Sequence, residues 1–289
     1  MQTFLEQILN GLTLGAMYAC VAAGQALIFG VARLINFAHG DMFMVGAYVF
    51  FLAFSVAGLP YPVAVLVAAI VMFAFGGLFE RTIVRPILDK PWHVHLIATL
   101  GASIVLANSA VLIWGTTPKQ VTTSYAATIL EFAGFRLSLQ RVILLVVTLL
   151  SFYGLHLFLE RTKTGKAMKA MSQNREACAV VGIDVRRIST LTFAMSCGLL
   201  GLAAGLVTPL YAIFPTMGLG LTFKAFAAVI MGGFGQVNGA IYGAFILGLT
   251  EALAAGYIAS DYKDAIAFAM MILVLLLRPQ GLFGRKIGI

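Results

Sequence analysis

Long apolar segments follow one another along nearly the whole chain, separated by short polar or glycine-containing stretches. A helix needs about 20 predominantly apolar residues to cross the hydrocarbon core of a bilayer. The pattern therefore predicts an all-α, polytopic membrane helical bundle with about eight or nine transmembrane helices. The predicted spans are residues 7–29, 40–57, 61–80, 92–115, 140–159, 188–213, 222–236, 239–258 and 264–277.

The composition agrees with this pattern, because 61% of the residues are hydrophobic and only 10% are charged. A soluble domain carries roughly 25% charged residues. The three cysteines, Cys20, Cys178 and Cys197, are far apart in sequence, so neither a disulfide framework nor a metal site is predicted. Residues 1–289 are expected to form a single transmembrane domain.

The positions of the basic residues predict the orientation. If the spans alternate, the loops 30–39, 81–91 and 160–187 and the C-terminal tail share one side, and they hold most of the 19 lysines and arginines, including Arg285 and Lys286. The positive-inside rule places that side in the cytoplasm, with the N-terminus outside. Segment 222–236 is short and ends in glycines; a broken or re-entrant helix there would change this parity.

The loop 160–187 contains a short apolar segment, "NREACAVVGI". Asn174 is a predicted N-cap, because its side chain can accept a hydrogen bond from the first turn of a helix. Gly182 is a predicted terminator. A helix of about two turns is not stable alone in water, so this one is expected to need a partner surface.

The same segment resembles the EAA loop of importer-type ABC permeases: Glu176, Ala177 and Gly182 match, and Cys178 replaces the second alanine. Three further stretches, "INFAHGDMFMVGAY", "KAFAAVIMGGFGQVNGAIYGAFILGLTEAL" and "DYKDAIAFAMMILVLLLRPQGLFG", are similar to LivH-type permeases of branched-chain amino acid importers. The similarity extends over nearly the entire chain and is weakest at 115–140.

The resemblance implies a permease in the bacterial inner membrane that translocates branched-chain amino acids. It implies a second related permease in a heterodimer, two ATP-binding subunits and an extracytoplasmic binding protein. The loop 160–187, with Arg175, Glu176, Ala177, Cys178 and Gly182, would couple to the ATPases. The chain has no glycine-rich phosphate loop, so we expect no bound cofactor, with ATP used on the partner subunits. Neither a catalytic site nor nucleic-acid binding is predicted.

Three polar residues, Asn36, His39 and Asp41, lie at the predicted inner end of the first two spans. They either cap the second span and meet the headgroup boundary, or line a translocation path at a break between helices. This segment lacks the third ligand that a metal site needs and the nucleophile that a catalytic site needs. Ser103, in "LGAS", is a possible nucleophile, but the residues around it do not match the motif of an intramembrane protease.

Glu251 lies inside an apolar span, where a charge costs roughly 2.5–3.5 kcal/mol on insertion scales. It is the fourth candidate for the translocation path. In the predicted topology it lies near the outer end of its span, on the same side as Lys224. The sequence leaves two arrangements open: a pair with Lys224, or a side chain that extends to the outer surface.

Glycines recur at helical spacing in the second half of the chain: Gly198, Gly201 and Gly205 in one span, and Gly239 and Gly243 in another. Small residues let helix backbones approach closely in lipid, so helix packing is the principal interpretation. Helices packed this way would also be able to separate and open a pathway.

Other functions remain open at this point. Permeases of this type also import urea, short amides or aromatic acids. An ion-coupled secondary transporter or channel would predict carboxylates inside several spans, whereas Glu251 is nearly alone.

Overall fold

The structure, a computed structural model, describes residues 2–132 and 135–284, and side chains at 4–130 and 137–284. Arg285 and Lys286, two basic residues of the predicted cytoplasmic tail, lie outside the described residues. The fold is a helical bundle with one small antiparallel hairpin, in which Ile129 pairs with Ser138.

The long helices are α1 (Gln2–Ala32), α2 (His39–Phe51), α3 (Tyr61–Phe79), α4 (Trp92–Trp114), α6 (Leu139–Arg161), α9 (Val185–Val207), α10 (Met217–Gly232), α11 (Val237–Tyr257) and α12 (Lys263–Leu277). The short helices and the hairpin are α5 (Ser124–Ala127), β1 (Ile129–Phe132), β2 (Phe135–Ser138), α7 (Lys163–Gln173) and α8 (Arg175–Val180). Helix α2 continues as a π turn over Leu52–Val56, and α3 as a π turn over Glu80–Val84 and a 3₁₀ turn over Arg85–Ile87; a 3₁₀ turn at Ser260–Tyr262 precedes α12.

The predicted polytopic helical bundle is confirmed. Within the described part of the chain, seven helices are long and apolar enough to cross a membrane. Helix α10, with 16 residues, is apolar but shorter. At 1.5 Å per residue it is about 24 Å long, less than the hydrocarbon core of about 30 Å. Whether α10 crosses the membrane, and which way the termini face, stay predictions.

The ends of two predicted spans were wrong. The span predicted at 188–213 ends as α9 at Val207, two residues before Pro209, which has no N–H with which to continue a helix. The following segment instead pairs with an earlier loop, since the backbones of Lys119 and Ile213 exchange two hydrogen bonds of 2.8 Å. Helix α10 then begins at Met217, earlier than the predicted 222.

Helix α1 lies at the centre of the bundle and packs antiparallel against α11. The two backbones touch where a side-chain carbon on Gly248 would lie 2.3 Å from the amide nitrogen of Gly15. Helices α10 and α11 form a tight hairpin, in which such a carbon on Gly243 would lie 2.3 Å from the carbonyl oxygen of Ala228. Gly239 makes an equally close contact with the backbone of Gly232.

A second contact joins α3 to α9. A side-chain carbon on Gly201 would lie 2.4 Å from the carbonyl oxygen of Ala68, so this position has no room for one. Gly205 packs against Val65 and Phe50 at 3.1–3.2 Å, and Gly198 is looser, at 3.4 Å from Phe73. The backbones therefore approach most closely at Gly201.

Helix α4 lies at the periphery, since only 22% of its membrane segment is buried, against 78% for α1. Its outer face exposes apolar side chains such as Leu112 and Ile113. The ring of Trp114 stacks on Tyr48 of α2 at a centroid distance of 4.2 Å. The exposed face is suited to lipid or to another membrane subunit.

Replacing Gly201 with alanine is expected to destabilise the bundle, because the new carbon forces α3 and α9 apart. Overpacking of this kind costs about 1–3 kcal/mol. The matched control is Gly101→Ala on α4, where no described atom lies within 4 Å of the new carbon. Thermal unfolding in detergent, followed by size-exclusion chromatography, should show a lower midpoint for Gly201→Ala only. Equal midpoints for the two variants would contradict this packing.

Candidate functional site: the α1–α2 break and a buried charge pair

The break between α1 and α2 turns back into the core of the bundle. Arg33, with φ of 51°, reverses the chain just after α1 ends. His39, the first residue of α2, then lies with its Nε2 atom 3.0 Å from the carbonyl oxygen of Val21. Val21 is about 16 Å along α1 from its last residue, at 1.5 Å per residue. Helix α2 therefore begins deep beside α1, and the expected position of this break at the inner end of the spans was wrong.

Asn36 shapes the turn that leads into α2. Its Oδ1 atom accepts a hydrogen bond of 3.1 Å from the backbone N–H of Ala38, and its Nδ2 atom donates to the sulfur of Met42 at 3.6 Å. Within the described residues, no side chain caps the first turn of α2, so the capping role considered for Asn36 or Asp41 is not observed. His39 is fully buried against α1, so its side chain does not face lipid headgroups, as one of the two alternatives had it.

Asp41 joins three helices at the same depth. Its buried Oδ2 atom accepts a hydrogen bond of 2.5 Å from the hydroxyl of Ser103 on α4. Its other oxygen faces the first turn of α10, where a side-chain carbon on Gly218 would lie only 2.2 Å away. A carboxylate is favoured beside the N-terminus of a helix, because the free N–H groups there carry partial positive charge.

The backbone beside Asp41 makes an equally close contact. The N–H of Gly40 donates a hydrogen bond of 2.9 Å to the hydroxyl of Thr222 on α10. A side-chain carbon on Gly40 would lie 2.0 Å from the carbonyl oxygen of Gly218. The first turns of α2 and α10 therefore meet backbone to backbone, and both need glycine.

Further polar atoms lie in the core near His39. Both amide atoms of Gln25, the Nδ1 atom of His39 and the hydroxyl of Ser196 are buried and have no hydrogen-bond partner among the described residues. Gly24 packs between two of these side chains, because a carbon added to it would lie 2.6 Å from the Ser196 hydroxyl and 3.0 Å from His39 Nε2. Buried polar atoms are normally paired. This layer therefore has unused hydrogen-bonding capacity.

Glu251 forms an ion pair with Lys224, the first of the two arrangements that the sequence left open. The Lys224 ammonium lies 2.8 Å from Glu251 Oε1, and the hydroxyl of Tyr18 donates to Glu251 Oε2 at 2.8 Å. The carboxylate is buried, so it does not extend to the outer surface. Lys224 also lies 2.8 Å from a carboxylate oxygen of Asp264. One cation thus ties α10 to α11 and α12, with Tyr18 of α1 alongside.

The loop 160–187 forms the helices α7 and α8. The side chain of Asn174 accepts a hydrogen bond of 3.0 Å from the N–H of Ala177, as an N-cap does. Helix α8 ends before Gly182, whose φ of 84° is left-handed. The short helix, its cap and its terminator therefore agree with the sequence analysis.

Helix α8 has an inner and an outer apolar face. Cys178 is buried in a cluster with Leu27, Met171 and Ile188, which fixes the helix to the bundle. Val180 and Val181 are 88% and 74% exposed on the opposite side. Arg175 lies 3.8 Å from Asp89, and Glu176 is exposed beside it. The exposed valines leave an apolar surface that no described residue covers.

The sequence analysis missed several residues of the site. Ser103 was considered only as a nucleophile, although its hydroxyl binds Asp41. Tyr18, Gln25 and Thr222 were not singled out. Each is a polar side chain inside an apolar span, and the cost of leaving such a group unpaired in hydrocarbon was the available signal. In the described part of the chain, no three His, Cys, Asp or Glu residues are placed to hold a metal ion.

Comparisons with known proteins find permease proteins of import systems. A family described as the branched-chain amino acid transport system / permease component matches residues 7–275. The permease protein BraD of a high-affinity branched-chain amino acid transport system in Pseudomonas aeruginosa is 35% identical over 98% of this chain and 96% of its own length. LivH of the corresponding Escherichia coli system is 33% identical over the same shares. LivM of Escherichia coli, a further permease protein of this kind, is 26% identical over 93% of this chain and 68% of its own length.

Lys224→Met is expected to destabilise the protein, because it leaves the buried Glu251 carboxylate with Tyr18 alone. Breaking a buried pair on one side costs about 3–5 kcal/mol, whereas removing both charges is often neutral. The double variant Lys224→Met, Glu251→Gln should therefore recover much of the lost thermal stability in detergent. Lys163→Met, at an exposed cation of α7, is the control. A double variant no more stable than Lys224→Met would show that the pair does not act as a unit.

Proposed function

The chain belongs to the family of permease components of branched-chain amino acid transport systems, and we propose that it is a membrane-spanning subunit of an ATP-driven ABC importer for branched-chain, hydrophobic amino acids. One observation carries this proposal: the similarity to BraD and LivH covers almost the full length of both chains. In this proposal residues 1–289 form a single permease domain. It moves its substrate without changing it chemically.

The family implies partner subunits. The finer composition that we propose is a heterodimer with a second, related permease, two ATP-binding subunits that use ATP, and an extracytoplasmic binding protein. The similarity to both LivH and LivM supports two related permeases. The protein is a multi-pass membrane protein of the inner membrane, and we propose that its N-terminus is outside and that the loop 160–187 and the C-terminus are cytoplasmic. The basic residues of that loop support this orientation.

We propose that α8 docks on an ATPase subunit. The helix is too short to be stable alone, and Cys178 ties it to α1 and α7. Movement of the docked ATPase would therefore reach the bundle directly. Val180 and Val181 supply the outward apolar contact, and Arg175, Glu176 and Ala177 lie at its edge. Gly182 ends the helix so that the chain can turn into α9.

Asn36, His39, Asp41 and Glu251 are our candidates for the translocation path. The first three belong to a helix break inside the bundle, and transporters place substrate sites at such breaks. The unpaired atoms of Gln25 and Ser196 in the same layer support this assignment, because an amino acid brings polar groups that need partners. A weak site suffices in the permease when the binding protein selects the substrate.

Uptake into proteoliposomes tests the proposed function. The chain is co-purified with its neighbouring permease and ATPases and supplied with the binding protein and labelled leucine. ATP-dependent leucine uptake is expected, and Glu251→Gln should reduce it. Uptake of urea, a short amide or an aromatic acid, without uptake of leucine, would show that the substrate belongs to one of those classes instead. Uptake by the isolated chain without ATP would indicate a secondary transporter and overturn the proposal.

Val180→Asp is expected to weaken the attachment of the ATPase. Burying a valine side chain contributes about 1.5–3 kcal/mol, and each 1.4 kcal/mol is about a tenfold change in affinity. Co-purification from detergent at limiting ATPase should therefore fall at least tenfold.

The matched control for Val180→Asp is Ile129→Asp, at an exposed apolar residue of the hairpin before α6. Because α8 lies beyond the other end of α6, this control should retain the ATPase. Cys178→Ala should also retain it, since the inner face stays apolar. Equal retention by Val180→Asp and Ile129→Asp would exclude α8 as the docking element.

A further inference from the structure

A cavity of about 470 Å³ lies between α1, α6, α7 and the turn that joins α10 to α11. Its volume is within the range of small-molecule sites, about 300–1,000 Å³. None of Asn36, His39, Asp41 or Glu251 lines it. The cavity is therefore separate from the candidate translocation path.

The lining of the cavity combines two opposite charges with an apolar wall. Glu160 and Lys169 form an ion pair at its edge, and each side chain is about half exposed. Leu27, Val31 and Leu155, which are nearly buried, form one wall, and polar side chains that include His156, Gln173 and Asn238 form much of the rest. An exposed ion pair is worth only about 0–1 kcal/mol, so a ligand can replace it at little cost. A ligand with an ammonium group, an acidic group and an apolar tail matches all three features.

The cavity and the coupling helix share their apolar residues. Leu27, Val31 and Met168 line the cavity and also belong to the cluster that buries Cys178 of α8. Lys169 is on α7, which leads into α8 through Asn174. A ligand that inserts between Glu160 and Lys169 would separate α6 from α7. The shared cluster would carry such a displacement to α8.

We propose that the cavity binds a zwitterion with an apolar tail, with its ammonium group on Glu160 and its acidic group on Lys169, and that occupancy slows the transporter. The inference rests on the proposed function, which puts α7 in the cytoplasm. The ligand chemistry has two sources: an imported amino acid that accumulates in the cytosol, or a zwitterionic phospholipid of the inner leaflet. In the first case the site provides feedback from the product of transport.

The test uses the full assembly in proteoliposomes that contain ATP and either no amino acid or saturating leucine. For each variant, the initial rate of labelled leucine uptake is expressed as the ratio of these two conditions. Internal leucine should slow the wild type about fivefold, at the low end of typical coupling between sites. Leucinamide, which lacks the carboxylate, and isocaproate, which lacks the ammonium group, should leave the rate unchanged.

Lys169→Met and Glu160→Gln should each abolish the effect of internal leucine. Lys166→Met is the matched control, because Lys166 is an exposed lysine of the same helix that does not line the cavity. It should keep the wild-type ratio. Elution of each assembly as a single species in size-exclusion chromatography separates loss of the site from loss of folding.

A second comparison tests the lipid source. Vesicles of phosphatidylglycerol, with or without phosphatidylethanolamine, are used with no internal amino acid. Slower uptake with phosphatidylethanolamine in the wild type and Lys166→Met, but not in Lys169→Met, would assign the site to lipid. The inference is overturned if neither leucine nor this lipid slows uptake, or if Lys169→Met responds as the wild type does. Absence of ATP-driven uptake in every vesicle would instead overturn the proposed function.

Discussion

The contact between the first turns of α2 and α10 is the constraint on which the core depends. Gly40 and Gly218 meet with no room for a side-chain carbon on either residue. This approach allows the N–H of Gly40 to reach Thr222 and places Asp41 beside α10. Hydrocarbon offers no water to satisfy these groups, so each must find its partner inside the protein. The start of α2 inside the bundle is therefore satisfied in part by Thr222 of α10, which accepts from Gly40.

The charged residues inside the bundle also have their partners within the protein. Lys224 lies on α10 and binds Glu251 of α11 and Asp264 of α12, so the short helix is tied to both neighbours. Helices α3 and α9 form a second close-packed pair through Gly201. Helix α2 contacts α10 of the first group and both helices of the second. His39 and Asp41 lie in its first turn, and Asn36 comes just before it. A movement of one group of helices relative to the other would therefore change the geometry of the α1–α2 break first.

Much of the fold was predictable from the sequence, because lipid-spanning helices have a simple compositional signal. Helix α8 was also predictable from its cap at Asn174 and its terminator at Gly182. The depth of the α1–α2 break was not, since hydropathy locates a polar segment along the chain but not where the chain returns to in space. The hydrogen bond between Asp41 and Ser103 joins residues far apart in sequence, and no local pattern announces it. The end of α9 was readable from Pro209 and was missed.

Because one apolar face of α8 is exposed, the contact that it makes with a partner depends on temperature. Val180 and Val181 stay in contact with water until a partner covers them. Hydrophobic association weakens on cooling, because the burial of apolar surface is driven by entropy near room temperature. An ATPase held on these valines would therefore loosen in the cold, and the assembled transporter would lose subunits at low temperature before the helical bundle itself unfolds.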